Sequence, residues 1–409
     1  MHPWPPIGEN IARLRTLADL TQEGLAEKAG VSADLIRRLE QGNRLSARIA
    51  SLYHLANALD VPLSILLAQP NILRPSERDH DQDGVLAIRQ ALTPMPMKKA
   101  LSHSGEEPEM LQVAELQRSA QEGWRLYRNG KFSTLAALLP ELINAGELAT
   151  QQLTGQQQAA AFAALTDVYQ IAASLVTRLG HEDLGYIAAQ KAIAAAGLSD
   201  DPNLHTVTLT TLSWVLLRQG RLTEAEQIAL DLAEDIEPSL VKATPVELSV
   251  WGILLWSGMR AASRNNNPDQ AANILSVTQA VAHRVGEDRY DYSMVFGPTS
   301  TAIQAVGLAV DRGDFGQALQ LAKQVPKDGK VPLTSRARHL LDVAHAQCAE
   351  GKNADALTTL REIHELAPEW MRYQILAREI TRALLTKQGA RRSRLPGLRE
   401  LATYLGVAD

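Results

Sequence analysis

Residues 21–42, TQEGLAEKAGVSADLIRRLEQG, read as two short helices joined by a tight turn. Thr21 caps the first helix, because its side-chain oxygen can accept a hydrogen bond from an orphan backbone N–H. Gly30 ends that helix; a sharp turn needs a left-handed residue, and glycine adopts it without a Cβ penalty. Ser32 caps the second helix, which is expected to run to Gly42. Helical spacing turns Ile36 and Leu39 inward and Ser32, Ala33, Asp34, Arg37 and Arg38 outward.

The flanking stretches extend the pattern. IGENIARLRTLADL, from residue 7, places Ile7, Ile11, Leu14 and Leu17 on one face. After the pair come SARIASLYHLANALD and VPLSILLAQ, with Pro62 in the first turn of the last segment. Residues 7–67 therefore read as five short helices around a small apolar core.

This stretch resembles the XRE/Cro-repressor helix-turn-helix family. The residues that carry the resemblance are Thr21-Gln22, Leu25-Ala26, Gly30-Val31-Ser32, Ile36, Leu39-Glu40-Gln41-Gly42 and the later HLANALDVPLSILL. The resemblance implies that the second helix of the pair enters the major groove of double-stranded DNA with its N-terminal residues at base edges. Ala33, Asp34 and Arg37 then sit where the family reads bases, next to Ser32, with Arg38 close by. Arginine suits guanine O6/N7 through its planar fork, and Ala33 offers a methyl contact. Asp34 either accepts from cytosine N4 or orients Arg38. Gln22 matches the family's phosphate-contacting glutamine, and Asn43 and Arg44 are the remaining backbone clamps. Leu35 stands where the family often has Ser or Thr. The resemblance also implies a homodimer on a palindromic operator. Residues 1–69 hold seven Lys/Arg and seven Asp/Glu, so attraction to phosphates falls to Arg37, Arg38, Arg44 and Arg48.

The composition of the 409 residues agrees with a helical protein. Apolar residues make up 45%, aromatics only 4%, and Ala and Leu favour helix over strand. A single cysteine, Cys348, leaves no intramolecular disulfide and no cysteine-based zinc site. No unbroken apolar run reaches the roughly 18 residues that span a bilayer. The opening MHPWPPIGEN lacks a basic segment followed by an apolar one. A cytoplasmic protein without membrane contact is expected. The net charge of −5 means that DNA contact comes from a local patch.

Residues 70–108 read as a semi-flexible linker containing one short helix, DGVLAIRQAL, between a DNA-binding domain at 1–69 and a second domain at 109–409. In that second domain the pattern is helix, tight turn, helix. The turns fall at Gly130, Gly180, Gly220, Asn266, Gly313 and Gly351. Small residues such as Ala225, Ala271, Ala318 and Ala356 follow them and let paired helices pack closely. The pattern resembles tetratricopeptide (TPR) repeats, whose usual period is about 34 residues, with longer helices here. Trp124, Tyr127, Gly130 and Phe132 fit the opening of that repeat best. The fold implied is all-α: a five-helix helix-turn-helix domain, then a right-handed α-solenoid of TPR-like helix pairs whose first helices line the concave face.

DYSMVFGPTSTAIQAVGLAVDRGD, RARHLLDVAHAQCAEGKNADAL and RLPGLRELATYLGV are similar to an actinobacterial-type group of XRE regulators with a repeat-containing C-terminal half. Ser300 stands where many members have Asn. The layout is similar to that of the peptide-pheromone receptor regulators. It implies a transcription regulator whose repeat domain dimerises and senses a peptide or small-molecule signal. The alternatives are a repeat domain that binds a protein partner and a ligand-free regulator controlled by its own concentration.

A helix expected over about 288–312 is interrupted at Phe296-Gly297-Pro298-Thr299. The interruption is either a bend or a ligand contact. Trp214, Trp251 and Tyr292 lie in the same repeats and, with Phe296 and Thr299, make the candidate effector wall; packing is the other reading of these residues. Arg178, Arg218 and Arg260 are expected near helix ends, capping carbonyls. The basic stretch KQGARRSRLPGLRE suits a solvated tail or a cap on the last repeat better than a contact to DNA phosphates. HExxH, GxSxG, P-loop and GxGxxG patterns are absent, and His339 and His345 are not at ligand spacing. No catalytic residue, metal site or cofactor is expected, and the protein is not expected to be an enzyme.

Overall fold

Ile11, Leu25, Ile36, Leu39 and Leu55 meet, fully buried, at the centre of the N-terminal unit. The computed structural model describes residues 7–18, 20–41, 49–59, 61, 80–94, 112–391 and 395–407. These residues divide into two units, 1–79 and 80–409.

In the first unit the helices are α1 (Ile7–Leu17), α2 (Gln22–Ala29), α3 (Ala33–Glu40) and α4 (Ile49–Ala58). Thr21 accepts from the Gly24 amide at 3.0 Å and Ser32 from the Leu35 amide at 3.2 Å. Gly30 takes the left-handed conformation, φ 64°. Helix α1 crosses α3 so closely that a Cβ on Gly8 would collide with the Leu39 carbonyl. Of the expected fifth helix only Val61, packed on this core, lies within the described residues.

The second unit opens with α5 (His80–Leu92), followed by six helix pairs. These are α6 (Val113–Arg128) with α7 (Phe132–Gln152), α8 (Gly155–Arg178) with α9 (Glu182–Ala196), and α10 (Pro202–Arg218) with α11 (Leu222–Asp235). Next come α12 (Pro245–Arg264) with α13 (Pro268–Val285), α14 (Pro298–Asp311) with α15 (Phe315–Ala322), and α16 (Leu333–Ala349) with α17 (Asn353–Leu366). Three further helices, α18 (Pro368–Arg372), α19 (Ile375–Arg391) and α20 (Leu398–Tyr404), end the unit. Helix α5 is not a linker segment. Its Val85, Ile88, Ala91 and Leu92 are buried in the repeat core, and Gly84 lies against Ala136.

The six pairs turn alike. Gly130, Gly180, Gly220, Asn266, Gly313 and Gly351 all have φ between 62° and 91°. The residue after each donates its amide to the carbonyl five positions back, from Lys131→Leu126 to Lys352→Gln347, at 2.8–3.0 Å. This is the Schellman closure of a helix C-terminus, and Asn is the residue besides Gly that tolerates it. Ala225, Ala271, Ala318 and Ala356 are fully buried just beyond the turns. By length and composition α8 could cross a bilayer; here fourteen of its residues are buried in the repeat core.

Between α13 and α14 the expected helix from 288 is replaced by an antiparallel hairpin. Strands β1 (Arg289–Asp291) and β2 (Met294–Phe296) pair Arg289 with Phe296 and Asp291 with Met294. Gly286 ends α13 in the left-handed conformation. Tyr292 and Ser293, at φ 48° and 63°, make a two-residue turn of type I′ character, which matches the twist of the strands. Helix α14 then starts at Pro298, with Asp288 accepting from the Thr299 and Ser300 amides at 3.0 and 3.1 Å.

The last repeat returns to the first. Helix α6 packs on α16. Gly130 sits against Trp370, and the Phe132 and Tyr373 rings are 5.8 Å apart. The concave face of the second unit is thereby closed into a ring. Leu398, Leu401, Ala402 and Leu405 of the tail are buried on this core, consistent with a cap; residues 392–394 lie outside the described residues.

Candidate functional site

The first candidate surface is built on α2 and α3. Arg15 of α1 grips both oxygens of Glu40, at 2.8 and 3.0 Å, and donates to the Leu20 carbonyl. Gln22 Nε2 donates to the same Glu40 at 2.6 Å. Burial works to raise the Glu40 pKa, but the bonds from Arg15 and Gln22 outweigh it and hold the carboxyl below its usual value. This bridge fixes the angle between the start of α2 and the end of α3. The Gln22 amide nitrogen is thus engaged inside the domain.

On the outer face of α3, Arg37 and Arg38 are exposed. Arg37 lies 3.6 Å from Glu23 of α2, and Arg38 pairs with Asp34 at 2.8 Å. Asp34 and Arg38 are thus paired across one turn of the exposed face. Ser32 is exposed at the helix start, with its hydroxyl on the Leu35 amide. Ala33 and Leu35 are only partly exposed and pack on the domain core. Asn43, Arg44 and Arg48 lie outside the described residues.

The second candidate is a cavity of about 310 Å³ inside the ring of repeats. First helices supply most of its wall through stripes at i, i+4 and i+8: Gln170, Ser174 and Arg178; Thr210, Trp214 and Arg218; Trp256, Arg260 and Arg264. Trp124, Tyr127 and Arg128 of α6, the hairpin residues 293–295, Gln304 of α14, Arg338 of α16 and Tyr373 also contribute to it. Arg178 stands over the Trp214 ring at 5.4 Å and donates to the Tyr127 hydroxyl at 3.2 Å. Arg128 donates to the Ser293 carbonyl at 3.2 Å and lies over the Tyr290 ring at 5.4 Å.

Of the five effector-wall candidates, Trp214 lines this cavity. Trp251 is turned the other way and donates its indole N–H to the Ala233 carbonyl at 2.8 Å. Trp256, five positions on, takes the wall position instead. Tyr292 is at the hairpin tip, its hydroxyl 3.1 Å from Asp201. Phe296 is fully buried against Gly252 and Trp256, and Thr299 is buried against Gly329. The arginines expected to cap carbonyls do something else. Arg178 meets Tyr127, Arg218 meets Glu182 at 3.4 Å, and Arg260 faces the cavity. A recurring signal was present in the sequence: Arg128, Arg178, Arg218 and Arg264 each precede a turn residue by two positions.

A helix-turn-helix family profile matches residues 11–66, and the first unit is a helix-turn-helix DNA-binding domain of the XRE type. No curated protein matches the chain. Among solved structures, the chain is similar to Bacillus thuringiensis PlcR in complex with the peptide PapR7 and DNA. The identity is 16%, over 68% of this chain and 98% of that one, with a TM-score of 0.29. ComR from S. thermophilus, in complex with DNA and its signalling peptide ComS, is 13% identical over 82% and 99%, with a TM-score of 0.27. Pseudomonas aeruginosa pilF is 16% identical over 64% and 98%, with a TM-score of 0.33.

Proposed function

We propose that the protein is a dimeric, sequence-specific transcription regulator of the cytoplasm that carries no catalytic activity. Its first unit reads DNA, and its repeat domain pairs two copies and responds to a peptide or small-molecule effector held in the cavity. The observation that carries this reading is the presence in one chain of an exposed, arginine-bearing recognition helix and a cavity of about 310 Å³ inside the repeat domain. Arg37 and Arg38 face outward for base and phosphate contact, with Ser32, Ala33 and Asp34 at the leading end of the helix. Gln22, Asn43 and Arg44 are assigned to the DNA backbone.

One such module buries only about 600–1,000 Å² on DNA, so two are needed for tight specific binding, on half-sites about one helical turn apart. An effector that fits one ring geometry better than another shifts the population of DNA-competent dimers. A coupling of about 1–3 kcal/mol changes DNA affinity roughly 5- to 150-fold. Selection of sites from random duplexes with the full chain tests the reading. An inverted repeat with half-sites about 10 base pairs apart is expected; recovery of unenriched sequence would refute specific DNA recognition.

A further inference from the structure

The cavity is cationic and rich in donors. Six arginines line it, and only two have a carboxylate within 4 Å among the described residues: Arg218 with Glu182 and Arg338 with Asp342. Arg128 and Arg178 are held by a carbonyl, a hydroxyl and aromatic rings. Arg260 has neither a hydrogen-bond nor an ion-pair partner among the described residues. It lies deep among protein atoms yet keeps part of its surface open, because that surface faces the cavity. Burial first, then the neighbouring Arg338 and Arg264, work against its charge, and together they outweigh the support from Asp311 and Asp342, neither of which pairs with it directly. Two residues of the lining, Trp256 and Gln170, each also carry a buried side-chain N–H without a partner among the described residues.

A guanidinium does not escape this cost by losing its proton, since it stays charged in proteins. A largely buried cation with no carboxylate in direct contact is unfavourable. Its natural complement is a carboxylate or phosphate, whose oxygens match the guanidinium fork two at a time. The apolar side of the cavity is aromatic, with Trp214 and Trp256 among its walls.

Resting on the effector-site reading above, we propose that the cavity binds an anion. The ligand presents a carboxylate or phosphate to Arg260 and its neighbouring arginines, and lays an aromatic or apolar body against Trp214 and Trp256.

Calorimetry on the full chain at fixed ionic strength tests this with four probes of similar shape: phenyl phosphate, phenylacetate, phenylacetamide and phenethylamine. Saturable binding of one or both anions is expected, with the amide and the amine at least tenfold weaker. Preference for phenyl phosphate assigns a phosphoryl ligand, and preference for phenylacetate a carboxylate. Arg260→Gln should weaken anion binding at least tenfold. Arg264→Gln, at the exposed end of the same stripe, provides a second variant should Arg260→Gln fail to fold, and should weaken it several-fold. Absence of anion binding, equal binding of the amide, or anion binding unchanged in the folded variants would overturn the proposal. DNA affinity is measured separately with and without the bound anion. An anion that binds without altering DNA affinity supports the cavity chemistry and counts against the sensing role.

Discussion

Glu369 accepts hydrogen bonds from both the backbone N–H and the hydroxyl of Ser133, the latter at 2.7 Å, across 236 positions of sequence. With Trp370 on Gly130, this contact joins the end of the repeat array to its first turn. Neighbouring pairs in an open solenoid touch only one another; here the terminal pairs also share a boundary.

Two glycine substitutions isolate that boundary. Gly130 and Gly180 both have positive φ, at 68° and 91°. A Cβ on Gly130 would lie 3.1 Å from the Trp370 Cβ, whereas one on Gly180 would meet nothing within 4 Å. Gly180→Ala is expected to cost about 1–2 kcal/mol from backbone strain alone. Gly130→Ala should cost about 1 kcal/mol more, from crowding at Trp370. Urea denaturation of the two variants measures the difference; equal losses would show that Trp370 accommodates the methyl group.

Asp167 gives a pH signature. It accepts from Trp124 Nε1 at 3.0 Å, and burial pushes its pKa up to about 6, against partial relief from that bond and from Arg128. The folded state therefore holds this proton more tightly than the unfolded chain does. The contribution of Asp167 to stability falls as pH rises from about 4 to about 6 and is level above that. Asp167→Asn keeps an acceptor for Trp124 and removes the charge. Its melting temperature should exceed that of the wild type above pH 6, by an amount equivalent to roughly 1–3 kcal/mol, and the gap should close toward pH 4. A gap independent of pH would rule out this titration.

On the DNA side, Arg37 and Arg38 make only exposed ion pairs among the described residues, with Glu23 and Asp34. Such pairs contribute about 0–1 kcal/mol to stability. Arg37→Ala and Arg38→Ala should leave unfolding nearly unchanged. Arg37→Ala should weaken operator binding by about 1–3 kcal/mol and relax base preference. Titrations over a range of salt would distinguish base from phosphate contact, because loss of a phosphate contact lowers the salt slope by about 1.

The hairpin turn stores strain at Tyr292 and Ser293, both non-glycine residues at positive φ. Ser293→Gly retains the carbonyl that receives Arg128 and should stabilise the folded chain by roughly 0.5–1 kcal/mol. A loss of stability in thermal unfolding would mean that the serine side chain contributes more than its backbone costs.

The six repeat turns were legible because each rests on a local requirement. A left-handed residue ends a helix, and Gly or Asn supplies it. The caps at Thr21 and Ser32 were legible for the same reason. The hairpin was hidden, since its strands are three residues long and its turn uses tyrosine and serine where glycine or asparagine is usual. The burial of α5 and the closure of the ring depend on surfaces far apart in the chain, which leave no periodic mark. In the cavity the aromatic residues are legible but their facing is not: Trp251 and Trp256 are both tryptophans at helical positions of α12, and only their neighbours decide which one faces inward. The recurrence of arginine two positions before the turns was the better guide.

Closure around Trp370 and Gly130 also constrains how the chain can be made and altered. A nascent chain cannot complete the contact until residue 370 has been synthesised, so the first turn stays uncovered through most of translation. An inserted or deleted helix pair would carry Trp370 past its seat on Gly130. Lengthening by duplication, readily accommodated in an open array, would here break the circle and pull apart the walls of the cavity.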